Sequence, residues 1–337
     1  MAKIAFFEID EYQKDYFKKN IQDHELIFEA EALEPDKEYE NSQLFEAEIL
    51  SIFAFSQVNR EVLEKFPNLK FVTTRSAGFD HIDLDYCREK GIVVSNVPAY
   101  GMHSVAEHTF ALILALSQKI VPSVERTREG DFSLDGLRGF ELYGKTLGIV
   151  GTGRIGSVVA EIGLGLGMKV IAYNRHVDDA LLEKGVEFMS LEELLPKSDV
   201  VSLHLPYNKE THHIINSENI SKFKKGSILV NNARGGLLET QAILDGLNNG
   251  YISAVGLDVL EEEPAMREEA ELLSVKYLEK NDLKTQLLDH ILLNRKEVLI
   301  TPHNAFNSDE AVQQIMDTTA GNIKSYLDGN PQNRVGE

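Results

Sequence analysis

Short runs of β-branched and apolar residues alternate along this chain with stretches in which apolar positions recur every three or four residues. The first pattern predicts strands and the second amphipathic helices. In the first hundred residues the expected strands are 3–7, 49–54, 71–73 and 93–95. Helical stretches fall between them, for example 59–65 and 83–90, with Gly91 placed as a helix C-cap. A long apolar helix is expected over 102–117, then a polar, glycine-containing link over 125–144. A second series follows, with strands at 146–150, 169–173, 200–203, 228–231, 254–258 and 298–300. Residues 265–296 read as a charged helical insertion on the surface, and 309–327 as a final amphipathic helix closed by Asp328-Gly329. Strands alternating with helices are the mark of parallel α/β structure.

Composition narrows the partners. The 337 residues are enough for two domains with buried cores. A net charge of −20 repels phosphate backbones and anionic lipid, so neither nucleic acid nor a membrane surface is an expected partner. An anionic substrate would have to meet an isolated arginine. Cys87 is the single cysteine, which excludes an intramolecular disulfide and fits a reducing, cytoplasmic setting. The first residues lack the apolar core of a signal peptide, and no apolar run is long enough to span a bilayer.

Gly151-Thr152-Gly153-Arg154-Ile155-Gly156 fits G-x-G-x-x-G directly after an expected strand and at the start of an expected helix. The first glycine allows the tight turn and the second lets the backbone approach a pyrophosphate. The third lets helix and strand pack closely, and the helix N-terminus offers N–H groups to the phosphates. In that context the hexapeptide predicts a dinucleotide site. An acid is expected at the end of the next strand to hold the ribose hydroxyls, yet Asn174-Arg175-His176 stands there. A neutral amide removes repulsion of a 2′-phosphate, and a guanidinium beside it can contact one. The cofactor is therefore expected to be NAD or NADP, with a lean towards NADP or dual use. The alternative is that Arg175 is merely solvated.

Three later segments end strands, where ligands bind in open α/β sheets. They are Asn231-Asn232-Ala233-Arg234-Gly235-Gly236, the acidic turn from Gly256 through Asp258 to Glu263-Pro264, and Thr301-Pro302-His303-Asn304. An arginine fork suits the carboxylate and ketone of a 2-oxo acid. A histidine suits proton delivery to the ketone oxygen as hydride reaches the carbon. A carboxylate beside that imidazole favours its charged form. Taken singly, Arg234 could be structural, Glu263 a solvated acid and His303 a satisfied structural histidine. Together at strand ends, with the glycine turn, they form a set.

These segments resemble the D-isomer-specific 2-hydroxyacid dehydrogenase family. Thr74-Arg75-Ser76-Ala77-Gly78-Phe79-Asp80-His81-Ile82-Asp83, Asn96-Val97-Pro98-Ala99-Tyr100 and Ser104-Val105-Ala106-Glu107-His108-Thr109 resemble its D-lactate dehydrogenase branch. The resemblance implies a flavodoxin-like substrate domain from 1–99 plus 305–337, and an inserted Rossmann dinucleotide-binding domain over 100–304. It implies Arg234 as substrate binder, His303 as acid/base and Glu263 as its modulator. It places Asp258 at the nicotinamide end, the backbone of Ala77 and Gly78 at the substrate carboxylate, and Tyr100 in the pocket. Leu205, Pro206 and Thr211 would lie along the cofactor, with Asn232 and Ala233 beside it. A homodimer is implied. The expected reaction is reduction of a small 2-oxo acid to a D-2-hydroxy acid, pyruvate to D-lactate first, with glyoxylate or hydroxypyruvate as alternatives. Phosphoglycerate and formate fit less well. Asn174 and the His303-Asn304-Ala305-Phe306 ending depart from the branch pattern, which bears on cofactor and substrate.

A nucleotide-sensing, corepressor-like binding protein is the rival reading, and it could keep the same three residues. His212 and His213 are adjacent and would diverge in a strand or a helix, which argues against a metal site. Glu107-His108 reads as a buttress, and Cys87 as packing.

Overall fold

The computed structural model describes residues 1–261 and 283–336. The chain forms two compact units, Met1–Gly101 with Asn307–Glu337, and Met102–Phe306.

The first unit carries five parallel strands: β1 Lys3–Phe6, β2 Glu25–Phe28, β3 Ile49–Ile52, β4 Phe71–Thr74 and β5 Val93–Ser95. Their spatial order is β2-β1-β3-β4-β5. Side chains alternate across a strand, so each short strand feeds two cores. Ile4, Phe6, Ile49 and Phe71 pack against Phe17 of α1 (Glu11–Asn20) and against Met316 and Ile323 of the last helix, Asp309–Leu327. Ala5, Leu50, Val72 and Val94 pack on the other face against Val62 of α2 (Arg60–Glu64) and Cys87 of α3 (Leu84–Lys90). Gly91 closes α3 in the left-handed conformation, φ 71°. Burial pushes the Cys87 thiol up to about 12, so it stays an uncharged packing group. The pattern did not mark β2, whose Glu25-Leu26-Ile27-Phe28 is too short to show a period and buries only Ile27.

The carboxyl ends of β1, β3 and β4 are tied together by one buried arginine. Arg75 Nη2 donates to the carbonyls of Phe7 and Glu8, both at 2.6 Å, and Nη1 donates to Ser51 Oγ at 3.0 Å. Burial pulls the guanidinium down to about 10. Glu8 in turn accepts the amides of Phe53, Phe55 and Ser56.

The second unit carries seven parallel strands: β6 Thr146–Val150, β7 Lys169–Tyr173, β8 Glu187–Phe188, β9 Val200–Leu203, β10 Ser227–Asn231, β11 Ile252–Leu257 and β12 Val298–Ile300. The order is β12-β11-β10-β9-β6-β7-β8. Helix α4 (Met102–Ser117) and helix α6 (Arg154–Gly165) cover one face, through Ala106, Phe110, Ile113, Val159 and Ala160. Helix α9 (Thr240–Asn248) supplies Ala242 and Ile243 to the other. Between these lie α5 (Ile120–Arg128), α7 (Asp179–Glu183) and α8 (Leu191–Leu194). Helix α10 (Leu283–Leu293) precedes β12, and the Asp309–Leu327 helix is α11. The link expected over 125–144 begins later than the pattern suggested, because α5 runs on to Arg128. Of the expected insertion, 283–293 is helical, whereas 262–282 lies outside the described residues. Among the described residues no helix is long and apolar enough to cross a membrane.

Candidate active site

The register of the seven-stranded sheet decides where the chemistry collects. Val150 lies opposite both Tyr173 and Leu203, Asn231 opposite both Leu203 and Leu257, and Leu257 opposite Ile300. Six strands therefore end level. The residues that follow them, Gly151, Asn174, His204, Asn232, Asp258 and Thr301, share one edge. Chain order reverses between β6 and β9, and this is where open α/β sheets bind ligands.

The glycine turn sits at that reversal. Gly151 has φ 102°, and a Cβ there would lie 2.8 Å from the carbonyl oxygen of His204. A Cβ on Gly156 would lie 2.0 Å from the Gly151 oxygen, so the turn and the first coil of α6 touch through backbone. A Cβ on Gly153 would meet nothing within 4 Å. Gly153 is the N-cap of α6 and has no side-chain cap. Thr152 Oγ1 is buried without a hydrogen-bond partner among the described residues. An uncapped helix N-terminus, open space over the middle glycine and an orphaned hydroxyl fit a pyrophosphate. Arg154 is exposed and Ile155 half-buried at the start of the helix.

The loop after β9 closes one side of this cradle. His204 Nε2 lies 2.8 Å from Ser202 Oγ, and burial pulls its imidazole down to about 4, so it is neutral. A Leu205 methyl would lie 2.8 Å from a Cβ at Gly151. Thr211 Oγ1 donates to the Pro206 carbonyl at 2.7 Å, which fixes the following turn. Asn174 is half-buried and ties back on itself, Nδ2 to the His176 carbonyl at 2.8 Å. Arg175 is exposed and paired with Glu210.

Arg234 follows β10 in a turn held by Asn231. The Asn231 side chain accepts the Ala233 amide at 3.0 Å and donates to the Arg234 carbonyl at 2.8 Å. Asn232 reaches Thr109 Oγ1 of α4 at 3.1 Å. The half-buried Arg234 fork spends one donor, Nη1, on the Ala233 carbonyl. Its other donors have no protein acceptor among the described residues. Gly235 is required by proximity, since a Cβ would lie 1.9 Å from the Leu260 oxygen.

Asp258 is 1% exposed and turns inward. Its Oδ1 accepts Thr301 Oγ1 at 2.5 Å and the Asn304 amide at 3.0 Å, while Oδ2 accepts the Ala305 amide at 2.9 Å. Both oxygens therefore hold the turn that carries His303, whose backbone is left-handed at φ 52°. Thr301 gives its only proton to Asp258, so His108 Nε2, 3.0 Å away, is the donor to Thr301. The pattern alone did not reveal this relay. The signal was Glu107-His108, two polar residues on a mostly apolar α4, which the sequence marked only as a buttress.

The adjacent histidines differ from expectation. His212 and His213 stack, with ring centroids 3.7 Å apart, because His213 takes a left-handed turn conformation, φ 49°. His213 pairs with Glu261, whose other oxygen accepts the Thr240 amide and hydroxyl at 3.2 and 2.8 Å. This ties the cofactor-side loop to the turn after β11. Among the described residues no group of three or more histidine, cysteine or acidic side chains could hold a metal ion. Glu263 lies outside the described residues.

Ala77, Gly78 and Tyr100 belong to the five-stranded unit. Asn96 Nδ2 donates to the Ala77 carbonyl at 2.8 Å and Ser76 Oγ to the Gly78 carbonyl at 2.7 Å. The Ala77–Gly78 turn is thereby held through its carbonyls. Tyr100 is half-buried.

A family model described as D-isomer specific 2-hydroxyacid dehydrogenase, NAD binding domain, matches residues 110–305. The chain belongs to the D-isomer-specific 2-hydroxyacid dehydrogenase family. It is thus an oxidoreductase of that family with a nucleotide-binding Rossmann unit. It is similar to D-lactate dehydrogenase of Escherichia coli, 35% identical over 97% of each chain. It is also similar to hydroxypyruvate reductase of Blautia hydrogenotrophica, 37% identical over 82% of this chain and 81% of that one. The structure of D-lactate dehydrogenase from Aquifex aeolicus complexed with NAD and lactic acid superposes with a TM-score of 0.86, at 40% identity over 99% of both chains.

Proposed function

We propose that this member of the family reduces a small 2-oxo acid to the D-2-hydroxy acid, with pyruvate to D-lactate as its reaction. The observation that carries this reading is the arrangement at three neighbouring strand ends. An arginine with spare donors, a buried aspartate and a histidine held by that aspartate lie beside a glycine cradle that fits a dinucleotide. The dinucleotide, when bound, supplies the hydride. Arg234 holds the substrate carboxylate and polarises the ketone. His303 delivers the proton to the ketone oxygen, and Glu263 keeps the imidazole charged. Asp258 and the Thr301–His108 relay hold His303 in place. Ala77, Gly78 and Tyr100 are assigned to substrate binding, and Asn174, Arg175, Leu205, Pro206, Thr211, Asn232 and Ala233 to the cofactor.

Both dinucleotides enter this proposal. Asn174 presents no carboxylate to a 2′-phosphate, and Arg175 stands beside it. NAD(H) is the favoured one, because Arg175 is already paired. A homodimer is proposed on the exposed apolar side chains of one region. Ile120 (50%), Phe132 (79%) and Leu134 (84%) are solvent-facing, and α5 buries no residue. Light scattering at micromolar concentration should give twice the chain mass, and Leu134→Glu should lower it. The proposed compartment is cytoplasmic, in keeping with a single unpaired cysteine.

Hydroxypyruvate is the second reading, favoured by the similarity to a hydroxypyruvate reductase. Competing kcat/KM values for pyruvate and hydroxypyruvate, with chiral analysis of the product, decide between them. Pyruvate should give the higher value and a D product. A higher value for hydroxypyruvate reverses the assignment, and an L product contradicts it.

A further inference from the structure

Two loops meet on either side of the glycine turn, after the strands that flank β6. One follows β7 and carries Asn174 and Arg175. The other follows β9 and carries Glu210. Arg175 Nη2 and a Glu210 carboxylate oxygen form an ion pair, with both side chains 72% exposed. We propose that Glu210 is a selectivity residue that favours the unphosphorylated dinucleotide, by engaging Arg175 and by placing a negative charge where a 2′-phosphate would go. This rests on the reading of the glycine turn as a dinucleotide site.

Glu210 is presented by a turn that is tied at several points. Its amide donates to Asn208 Oδ1 at 2.9 Å, and the Thr211 amide reaches the same oxygen at 3.2 Å. The Asn208 amide donates to Thr211 Oγ1 at 2.9 Å, and Thr211 Oγ1 donates to the Pro206 carbonyl. The carboxylate is therefore offered from a fixed backbone. Opposite it, Asn174 spends its amide N–H on His176 and brings no charge. The acid missing after β7 is replaced in charge, though not in position, by an acid from the neighbouring loop.

The charges set the outcome. A phosphate monoester carries between one and two negative charges at neutral pH. An unphosphorylated ribose meets a neutral Arg175–Glu210 pair and leaves it intact. A 2′-phosphate has to draw Arg175 away from Glu210 and then sits beside the released carboxylate. Exposed ion pairs are weak, so a phosphate can displace this one, but the like charge remains. The penalty is electrostatic and is screened as salt rises, with a Debye length of about 10 Å at 0.1 M.

Glu210→Gln tests this directly. Steady-state kcat/KM is measured for NADH and NADPH with one saturating 2-oxo acid, alongside fluorescence titration of each dinucleotide. Glu210→Gln should raise the NADPH:NADH ratio at least about fivefold at low salt, with the gain on the NADPH side in both assays. The gain should shrink at 0.5 M salt. Arg175→Ala should lower the NADPH:NADH ratio, and adding Glu210→Gln to Arg175→Ala should recover part of it, by the like-charge share of the effect alone. Glu192→Gln, the same charge change at the exposed Lys222 pair, is the control and should leave the ratio where it was. A ratio that moves less than twofold in Glu210→Gln overturns the proposal. So does a ratio that rises only because NADH binding falls, which would make Glu210 a ribose ligand. An equal rise in Glu192→Gln also overturns it, by assigning the effect to net charge. If the unsubstituted protein binds neither dinucleotide, the underlying site reading fails, and that outcome is separate because no variant is needed to see it.

Discussion

Asp258 holds the turn that carries His303, accepting the amides of the two residues after it at 3.0 and 2.9 Å. A left-handed, non-glycine backbone such as that of His303 persists only where its surroundings over-determine it. The buried carboxylate supplies that constraint. Asp258→Asn puts an N–H donor against an amide donor. The cost should be roughly 1–3 kcal/mol in denaturant stability, with kcat at least about tenfold lower and dinucleotide affinity little changed. Lowered stability with normal kcat would limit Asp258 to a structural part. Thr301→Val, which cuts the relay to His108, should give a smaller effect of the same kind.

His303→Gln should lower turnover by about 10²–10⁴-fold, the range of general acid catalysis, while NADH still binds by fluorescence titration. Arg234→Gln should act on the acid instead. Its kcat/KM for the 2-oxo acid should fall by about tenfold or more through loss of charge-assisted hydrogen bonds, again with NADH binding kept. Loss of dinucleotide binding in step with activity would place either residue in the scaffold.

The glycine turn offers a contrast between neighbours. Gly153→Ala adds a methyl where nothing lies within 4 Å, so the fold should survive with a thermal midpoint within a few degrees. Dinucleotide affinity should nevertheless drop, because the methyl enters the space left for phosphate. Gly156→Ala pushes a methyl to 2.0 Å from backbone oxygen and should destabilise the protein outright. If Gly153→Ala binds the dinucleotide as tightly as before, the phosphate does not lie over this turn.

His204 predicts a pH dependence of stability. Its imidazole is held near 4 by burial, below the usual value of 6.5. Between pH 6.5 and 4 the unfolded chain is protonated there and the native one is not. The contribution is complete above 6.5 and is lost as pH falls towards 4, by up to about 3 kcal/mol at 1.36 kcal/mol per unit. In His204→Gln, melting temperature should fall less steeply across that window than in the unsubstituted protein. Parallel curves would show that His204 carries none of the slope.

The alternation of runs marked the α/β class and most strands, because buried parallel strands are continuous apolar runs bounded by polar turns. β6, β7, β9 and β12 fall where the pattern put them. β2 did not stand out, being an edge strand of four residues between acidic stretches. Helix α1 did not either, since Glu11–Asn20 buries only Phe17. The residue types at the strand ends stood out in the sequence because the expected hydride chemistry asks for few alternatives. What they touch was not. The inward turn of Asp258 depends on Thr301, Asn304 and Ala305, more than forty residues on. The stacking of His212 on His213 depends on a backbone conformation that adjacency alone did not suggest. Glu210 carries no mark in the sequence, because its pairing with Arg175 joins two loops that lie 35 residues apart.

The central claim is hydride transfer to a small 2-oxo acid, and its most direct measurement is loss of absorbance at 340 nm. The protein would be mixed with NADH or NADPH and a panel containing pyruvate, hydroxypyruvate, glyoxylate and a branched 2-oxo acid. The account predicts enzyme-dependent oxidation with at least one small 2-oxo acid, faster with NADH than with NADPH, and absent in His303→Gln. Tight NADH binding without oxidation across the whole panel would contradict it, and would favour a nucleotide-sensing protein built on the same fold.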